Sequence, residues 1–262
     1  DRTPSRAVIV GGGFIGIEMA ENLISRGIPT TLLQRSAQVL PFIDYDMACQ
    51  VHAYLRDKGL DVRLNTPISL YEPLDQADGV RINLDDGTSI EAELVVLAVG
   101  VVPDTHLARE AGLELGMKGS IVTDAHMRTS DPHIYAVGDA VQVHQFVSGA
   151  DALIPLAGPA NKQGRIAADN ICGLDSTFSG SLGSSIVKLF DMTIAATGIN
   201  EKTAQKAGID YETVVTFSPS HATYYPGATS MTIKTLFSPE TGRILGAQAI
   251  GFDVVDKRID AI

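Results

Sequence analysis

The chain of 262 residues has no tryptophan, only two cysteines, and 20 lysines and arginines against 31 aspartates and glutamates. A net charge of −11 argues against nucleic acid or an anionic membrane as a main partner, because both need clustered cations. No apolar run approaches the roughly 18 to 20 residues of a membrane span. The best of them, Leu94 to Val102, is interrupted by Gly100. Cys49 and Cys172 lie far apart and neither belongs to a CxxC pair, so no disulfide framework is expected and a reducing cytoplasm fits. Both are expected to be small buried or half-buried residues. The histidines, His144 and His221 among them, show no ligand spacing with acids or cysteines, so no metal is expected. Neither a Ser-His-Asp arrangement nor a Walker phosphate loop is present.

The remaining composition, 45% apolar and 19% charged, is that of a globular protein with one large or two to three small domains. The most informative stretch is Gly11, Gly12, Gly13, Phe14, Ile15, Gly16, Ile17 and Glu18, directly behind the apolar run Ala7 to Val10. A short strand, glycines at first, third and sixth positions, then a helical pattern suit a dinucleotide pyrophosphate. They give a tight turn, a bare backbone and a helix N-terminus. Apolar residues at Ile15, Met19, Leu23 and Ile24 predict the helix, Gly27 and Pro29 stop it, and Thr30 to Leu33 form the next strand. An acid closing that strand would favour an unphosphorylated ribose. Here Gln34 and Arg35 stand there instead, which leans toward accepting NADP as well as NAD.

A second helix is predicted from about Asp46 to Lys58, and a strand at Asp61 to Leu64. A hairpin-like insertion follows, with Val80, Ile82 and Leu84 alternating before a turn and Ile90 to Glu93 returning. Leu94 to Val99 reads as a buried parallel strand ending at Gly100. A different region starts near Pro103, with a short helix at Leu107 to Ala111 and a strand at Ile134 to Val137 before Gly138 and Asp139. The Ser/Gly-rich stretch Ser176 to Ser185 reads as a boundary. Strands at Ile186 to Phe190, Tyr211 to Phe217, Met231 to Phe237 and Ile244 to Ile250, with a helix at Glu201 to Ala207, predict an antiparallel α+β unit.

Val96 to Gly100 with Pro103, Thr129 to Pro132 ahead of Ile134 to Asp139, and the run Ala150 to Arg165 resemble the pyridine nucleotide-disulfide oxidoreductases. Together with His221 to Ala228 and Asp256 to Asp260, they resemble its coenzyme A disulfide reductase and NADH-dependent persulfide or polysulfide reductase branch. The resemblance implies an α/β fold: a Rossmann-like nicotinamide domain (1–102) inserted in a split FAD domain (103–180), then the start of an α+β dimerisation domain (181–262). It assigns Gly11 to Gly16 to nicotinamide rather than flavin, because the interval to Asp139 is too short to hold the whole nicotinamide domain.

The same resemblance implies FAD and NAD(P)H as cofactors, with Asp139 and Gly138 at the flavin ribitol and Glu18 near the nicotinamide. Leu156, Ala157 and Pro159 would then precede a helix, Asn161 to Asn170, aimed at the flavin, with Gly100 beside the nucleotide. Tyr224 or Tyr225 would assist the leaving thiolate from the second subunit of a homodimer. The implied reaction moves a hydride from NAD(P)H to FAD, then electrons through a cysteine outside this chain to a disulfide, coenzyme A persulfide or polysulfide. The family's N-terminal FAD segment and redox cysteine have no counterpart here, so the chain is expected to be cut at both ends and inactive alone. An NADH oxidase or peroxidase of the same scaffold, or a non-catalytic redox-sensing module, are the alternatives.

Overall fold

The computed structural model describes residues 3–74 and 78–262. Its first unit alternates β1 (Ala7–Val10), α1 (Phe14–Ser25), β2 (Thr30–Leu33), α2 (Tyr45–Asp57) and β3 (Asp61–Arg63). An antiparallel three-stranded sheet follows, β4 (Ile68–Pro73), β5 (Val80–Leu84) and β6 (Ser89–Ala92), and then β7 (Leu94–Leu97). β1 and β2 are apolar or β-branched throughout and buried at every residue, as parallel strands covered on both faces require. Parallel pairing orders the sheet β3-β2-β1-β7, with Ala7 opposite both Thr30 and Leu94.

Three sequence expectations for this unit change. α1 buries Gly16, Ile17, Ala20 and Leu23, while Ile15 and Met19 face solvent, so the helix is as expected but rotated relative to its predicted stripe. β7 is an edge strand rather than a fully buried one, and Leu97 at its end is 62% exposed. The hairpin gains a third strand, β4, whose residues are mostly exposed and carry no alternating apolar signal.

The middle segment holds α3 (His106–Glu110), the two-residue strands β8 (Val143–His144) and β9 (Asp151–Ala152), and α4 (Ala157–Ile171). The strand expected at Ile134 to Val137 is reduced to one bridge between Arg128 and Tyr135. No described strand continues beside it, and a ladder needs a neighbour to satisfy its backbone groups. α4 starts four residues before the predicted Asn161, so Ala157 and Pro159 lie inside its first turn, where proline is tolerated because no N–H is needed.

The last unit is an antiparallel sheet ordered β10-β11-β14-β13-β12. Its members are β10 (Ser185–Leu189), β11 (Met192–Gly198), α5 (Glu201–Ala207), β12 (Glu212–Pro219), β13 (Ser230–Phe237), β14 (Ile244–Gly251) and α6 (Val255–Asp260). Its apolar side is shared with the first unit: Val187, Leu189, Ile194 and Ile250 join one buried cluster with Ile9, Ile17, Leu32, Met47 and Leu55. Phe190 N–H donates to Glu21 Oε1 at 2.9 Å, and Tyr54 accepts into the same junction from Asp191 N–H at 3.1 Å.

A polar seam crosses this junction. Lys234, on β13, is 2% exposed and donates to Asp46 at 2.8 Å and to Glu201; Asp44 lies 3.2 Å away. Burial opposes its charge, but the hydrogen bonds to Asp46 and Glu201 and the Asp44 carboxylate more than offset this and raise its pKa. Asp44 also accepts from Gln248 Nε2 at 2.6 Å and from Glu201 N–H at 2.9 Å. The three carboxylates stand close enough together to hold a metal ion, and the Lys234 ammonium is bonded among them. Both cysteines prove exposed. On α2 the buried side consists of Met47, Ala48, Val51, His52 and Leu55, which turns Cys49 outward.

Candidate dinucleotide site

Val10 of β1 runs into the glycine turn, and Ala98 N–H donates to Val10 O at 2.8 Å, so the strand before the turn is clamped to the residue that follows β7. Gly11 adopts φ +106°, and a Cβ there would collide with the Ala98 carbonyl oxygen. Gly16, one turn into α1, backs onto the Gly11 carbonyl so closely that a Cβ would overlap it. Gly13 differs: a Cβ built on it meets nothing within 4 Å. Two glycines thus close the turn, and the third keeps open space in front of an uncapped helix N-terminus.

That space is a cavity of about 520 Å³, lined by Gly11, Gly12, Gly13, Gln34, Arg35 and Gly100 among others. Six of the residues singled out from sequence are therefore brought together. Among the described residues, Arg35 is the one charged residue in the lining. It is exposed, and no hydrogen-bond or ion-pair partner for it occurs among the described residues. Phe14 instead stacks on Phe42, with centroids 4.7 Å apart, and serves packing; Ile15 is 57% exposed. Glu18 is exposed and lies beyond the first turn of α1, which contains no acid, so the helix dipole does not account for it.

Gln34 has a role that the sequence did not disclose. Its Oε1 accepts from Gly12 N–H at 3.1 Å, and its Nε2 donates to Ser36 Oγ at 2.7 Å and to Gln38 O at 3.0 Å. The next part of this loop is held by His52, whose Nε2 accepts from Val39 N–H at 3.1 Å, while Leu40 N–H donates to Gly12 O at 2.8 Å. Burial, then nearby Arg56, push the His52 pKa below its ordinary 6.5. As pH falls, the unfolded chain takes up this proton before the folded one does. The contribution of neutral His52 is thus complete above about pH 6.5 and is lost as pH drops through the folded pKa. Melting temperature is expected to fall on acidification below that point, and His52→Gln to flatten the fall; a parallel pH dependence in both proteins would refute the assignment.

The second group of expected residues sits at the start of α4. Gly138 adopts φ +83° with open space at its Cβ position, and its N–H donates to Gln163 Oε1 at 2.7 Å. Gln163 is buried, yet its Nε2 has no partner among the described residues. Asp139 is exposed and caps no helix, since Val137 is the N-cap of the short turn that contains it. The N-terminus of α4 at Leu156 has no side-chain cap, and Gly158, Pro159 and Lys162 border a cavity of about 400 Å³. An orphaned buried amide, an open glycine and a bare helix end fit a polar, anionic cofactor. Gln163 escaped the sequence reading, although Gln163, Ala167 and Asn170 recur at the helical spacing of a buried face.

Tyr224 and Tyr225 are 81% and 61% exposed on the loop between β12 and β13, with ring centroids 4.7 Å apart. They line neither cavity, so within one chain they are not brought to the cofactor residues.

A glycine turn at the C-terminal edge of a parallel sheet, fused to an antiparallel α+β unit, defines a dinucleotide-binding α/β protein. The chain belongs to the pyridine nucleotide-disulphide oxidoreductase family: that family's model matches residues 1–164 and the model of its dimerisation domain matches residues 184–262. It is 35% identical over 97% of its length to an NAD(P)H sulfur oxidoreductase (CoA-dependent) of Pyrococcus abyssi, of which it covers 56%. It therefore spans about half the length of the curated relatives it matches. A structure of an NAD-dependent persulfide reductase from A. fulgidus superposes with a TM-score of 0.95 at 40% identity, covering 98% of this chain and 48% of that one. An engineered water-forming NADPH oxidase bound to NADPH, derived from the Lactobacillus brevis NADH oxidase, gives 0.92 at 30% identity, with 98% and 57% covered.

Proposed function

We propose that this chain forms the nicotinamide-nucleotide site and part of the flavin site of an FAD-dependent NAD(P)H oxidoreductase. Its acceptor is a small disulfide, a coenzyme A persulfide or a polysulfide. The observation that carries this reading is the cavity of about 520 Å³ at the glycine turn, whose open side is Gly13 and the N-terminus of α1. In this reading residues 1–102 bind the nicotinamide nucleotide, 103–180 supply half of the flavin site, and 181–262 belong to the dimer surface of a cytoplasmic homodimer.

FAD supplies the two-electron redox chemistry between nicotinamide and sulfur. The chain's own residues bind and orient. First-turn N–H groups of α1 hold the pyrophosphate, Glu18 positions the nicotinamide end, and Gly100 leaves room beside it. Asp139 would accept hydrogen bonds from polyol hydroxyls, and Gln163 Nε2, beside Gly138, would donate to the flavin. The bare N-terminus of α4, with Ala157 and Pro159 in its first turn, stabilises negative charge there. Tyr224 or Tyr225 donates its phenolic proton to a leaving thiolate across the dimer.

The engineered oxidase also supports a phosphate-tolerant nucleotide site. Its substitutions convert a glycine to alanine, then a consecutive Asp-Ala-Met to Ala-Arg-Ser, then a proline to arginine. The same intervals in this chain separate Gly16, the run Gln34-Arg35-Ser36, and Pro41.

Addition of NADH or NADPH to the complete, FAD-loaded protein without oxygen is expected to bleach the flavin absorbance, and coenzyme A disulfide or polysulfide to restore it. Absence of bleaching would leave a redox-sensing module as the reading. Restoration by oxygen or peroxide alone would assign the protein to the oxidases and peroxidases of the family.

A further inference from the structure

We propose that the dinucleotide site selects NADPH over NADH, with Arg35 and Ser36 holding the adenosine 2'-phosphate and Gln34 serving only as the brace that shapes their loop. This rests on the nicotinamide reading above and specifies which of the two nucleotides the site takes.

Three features carry it. Among the described residues, Arg35 is the sole charged one lining the cavity, and it is exposed and has no partner. A guanidinium with no carboxylate to neutralise it is a natural phosphate ligand, planar and able to donate two hydrogen bonds in parallel. Among the described residues, no aspartate or glutamate lines the same cavity. None of these lining residues repels a phosphate dianion, and none offers the carboxylate that would accept hydrogen bonds from a free ribose hydroxyl.

The third feature separates the roles of neighbouring residues. Both N–H donors of the Gln34 amide are committed, to Ser36 Oγ and Gln38 O, and its oxygen accepts from Gly12 N–H. Its donors are thus spent inside the loop, and it has none to offer a 2'-phosphate. Ser36 donates to Gln38 O at 3.1 Å, a carbonyl that already receives Gln34 Nε2 at 3.0 Å. The Ser36 hydroxyl therefore can rotate toward a phosphate without leaving that carbonyl unpaired, a penalty that otherwise opposes such a switch. Gln34 in this way both shapes the turn and releases its neighbour.

Adenosine 2',5'-bisphosphate, AMP, NADPH and NADH titrated into the protein by calorimetry at one ionic strength test this directly. Each phosphorylated member is expected to bind at least about tenfold tighter than its partner, equivalent to about 1.4 kcal/mol. Arg35→Ala is expected to bring both ratios close to one, whereas Gln34→Met is expected to weaken all four ligands alike. Equal affinities in the unmodified protein, or a ratio that survives Arg35→Ala, would overturn the selectivity and leave the nicotinamide site standing. Failure of all four to bind would overturn the nicotinamide site as well.

Discussion

Replacing Lys234 with methionine is expected to destabilise the protein by about 3 to 5 kcal/mol, the range found when one member of a buried ion cluster is removed. The side chain is of similar length, so packing changes little, and the loss comes from leaving Asp44, Asp46 and Glu201 close together without their cation. Glu201 opens α5, and Asp44 caps into both Glu201 N–H and Gln248, so the disturbance reaches both units at once. Chemical denaturation followed by circular dichroism measures it. A loss below about 1 kcal/mol would mean that the cluster behaves like a surface ion pair. The raised Lys234 pKa gives this stabilisation a direction in pH. It is fully present below the ordinary 10.5 and fades only as alkali rises through the folded value.

The second large effect is at the glycine turn. Gly11→Ala is expected to weaken nucleotide binding by about a hundredfold or more and to lower stability by about 2 to 4 kcal/mol, because an L-residue is strained at φ +106° and its Cβ meets backbone rather than a yielding side chain. Gly13→Ala provides the contrast. Its backbone, φ −81° and ψ −173°, suits any residue and its Cβ enters empty space. Melting temperature should stay near that of the parent while nucleotide affinity falls. Equal losses of stability in both variants would show that Gly13 is structural and that the cavity in front of it is not the ligand's.

The glycine turn was legible in sequence because every requirement it meets is local: a strand, a bare backbone and a helix start within eight consecutive residues. β11 was not legible. Met192 to Gly198 is rich in small residues with no alternation, and it becomes a strand because β10 and β14 flank it on both sides. The reverse happened at Ile134 to Val137, where an apolar run looked like a strand but has only one bridging partner. Within the site, Gln34 and Arg35 were found by position, yet their division of labour was hidden. Which way an amide turns depends on Gly12, Ser36 and Gln38, which converge only once the loop folds. The Lys234 cluster was invisible for a similar reason, since its carboxylates come from α2 and α5 while its cation comes from β13.

The buried cluster that runs from Ile9 and Leu32 through to Ile194 and Ile250 also has a mechanical meaning. Because the two layers share one buried cluster and the Lys234 bonds cross between them, they are expected to move and to unfold together as one cooperative unit.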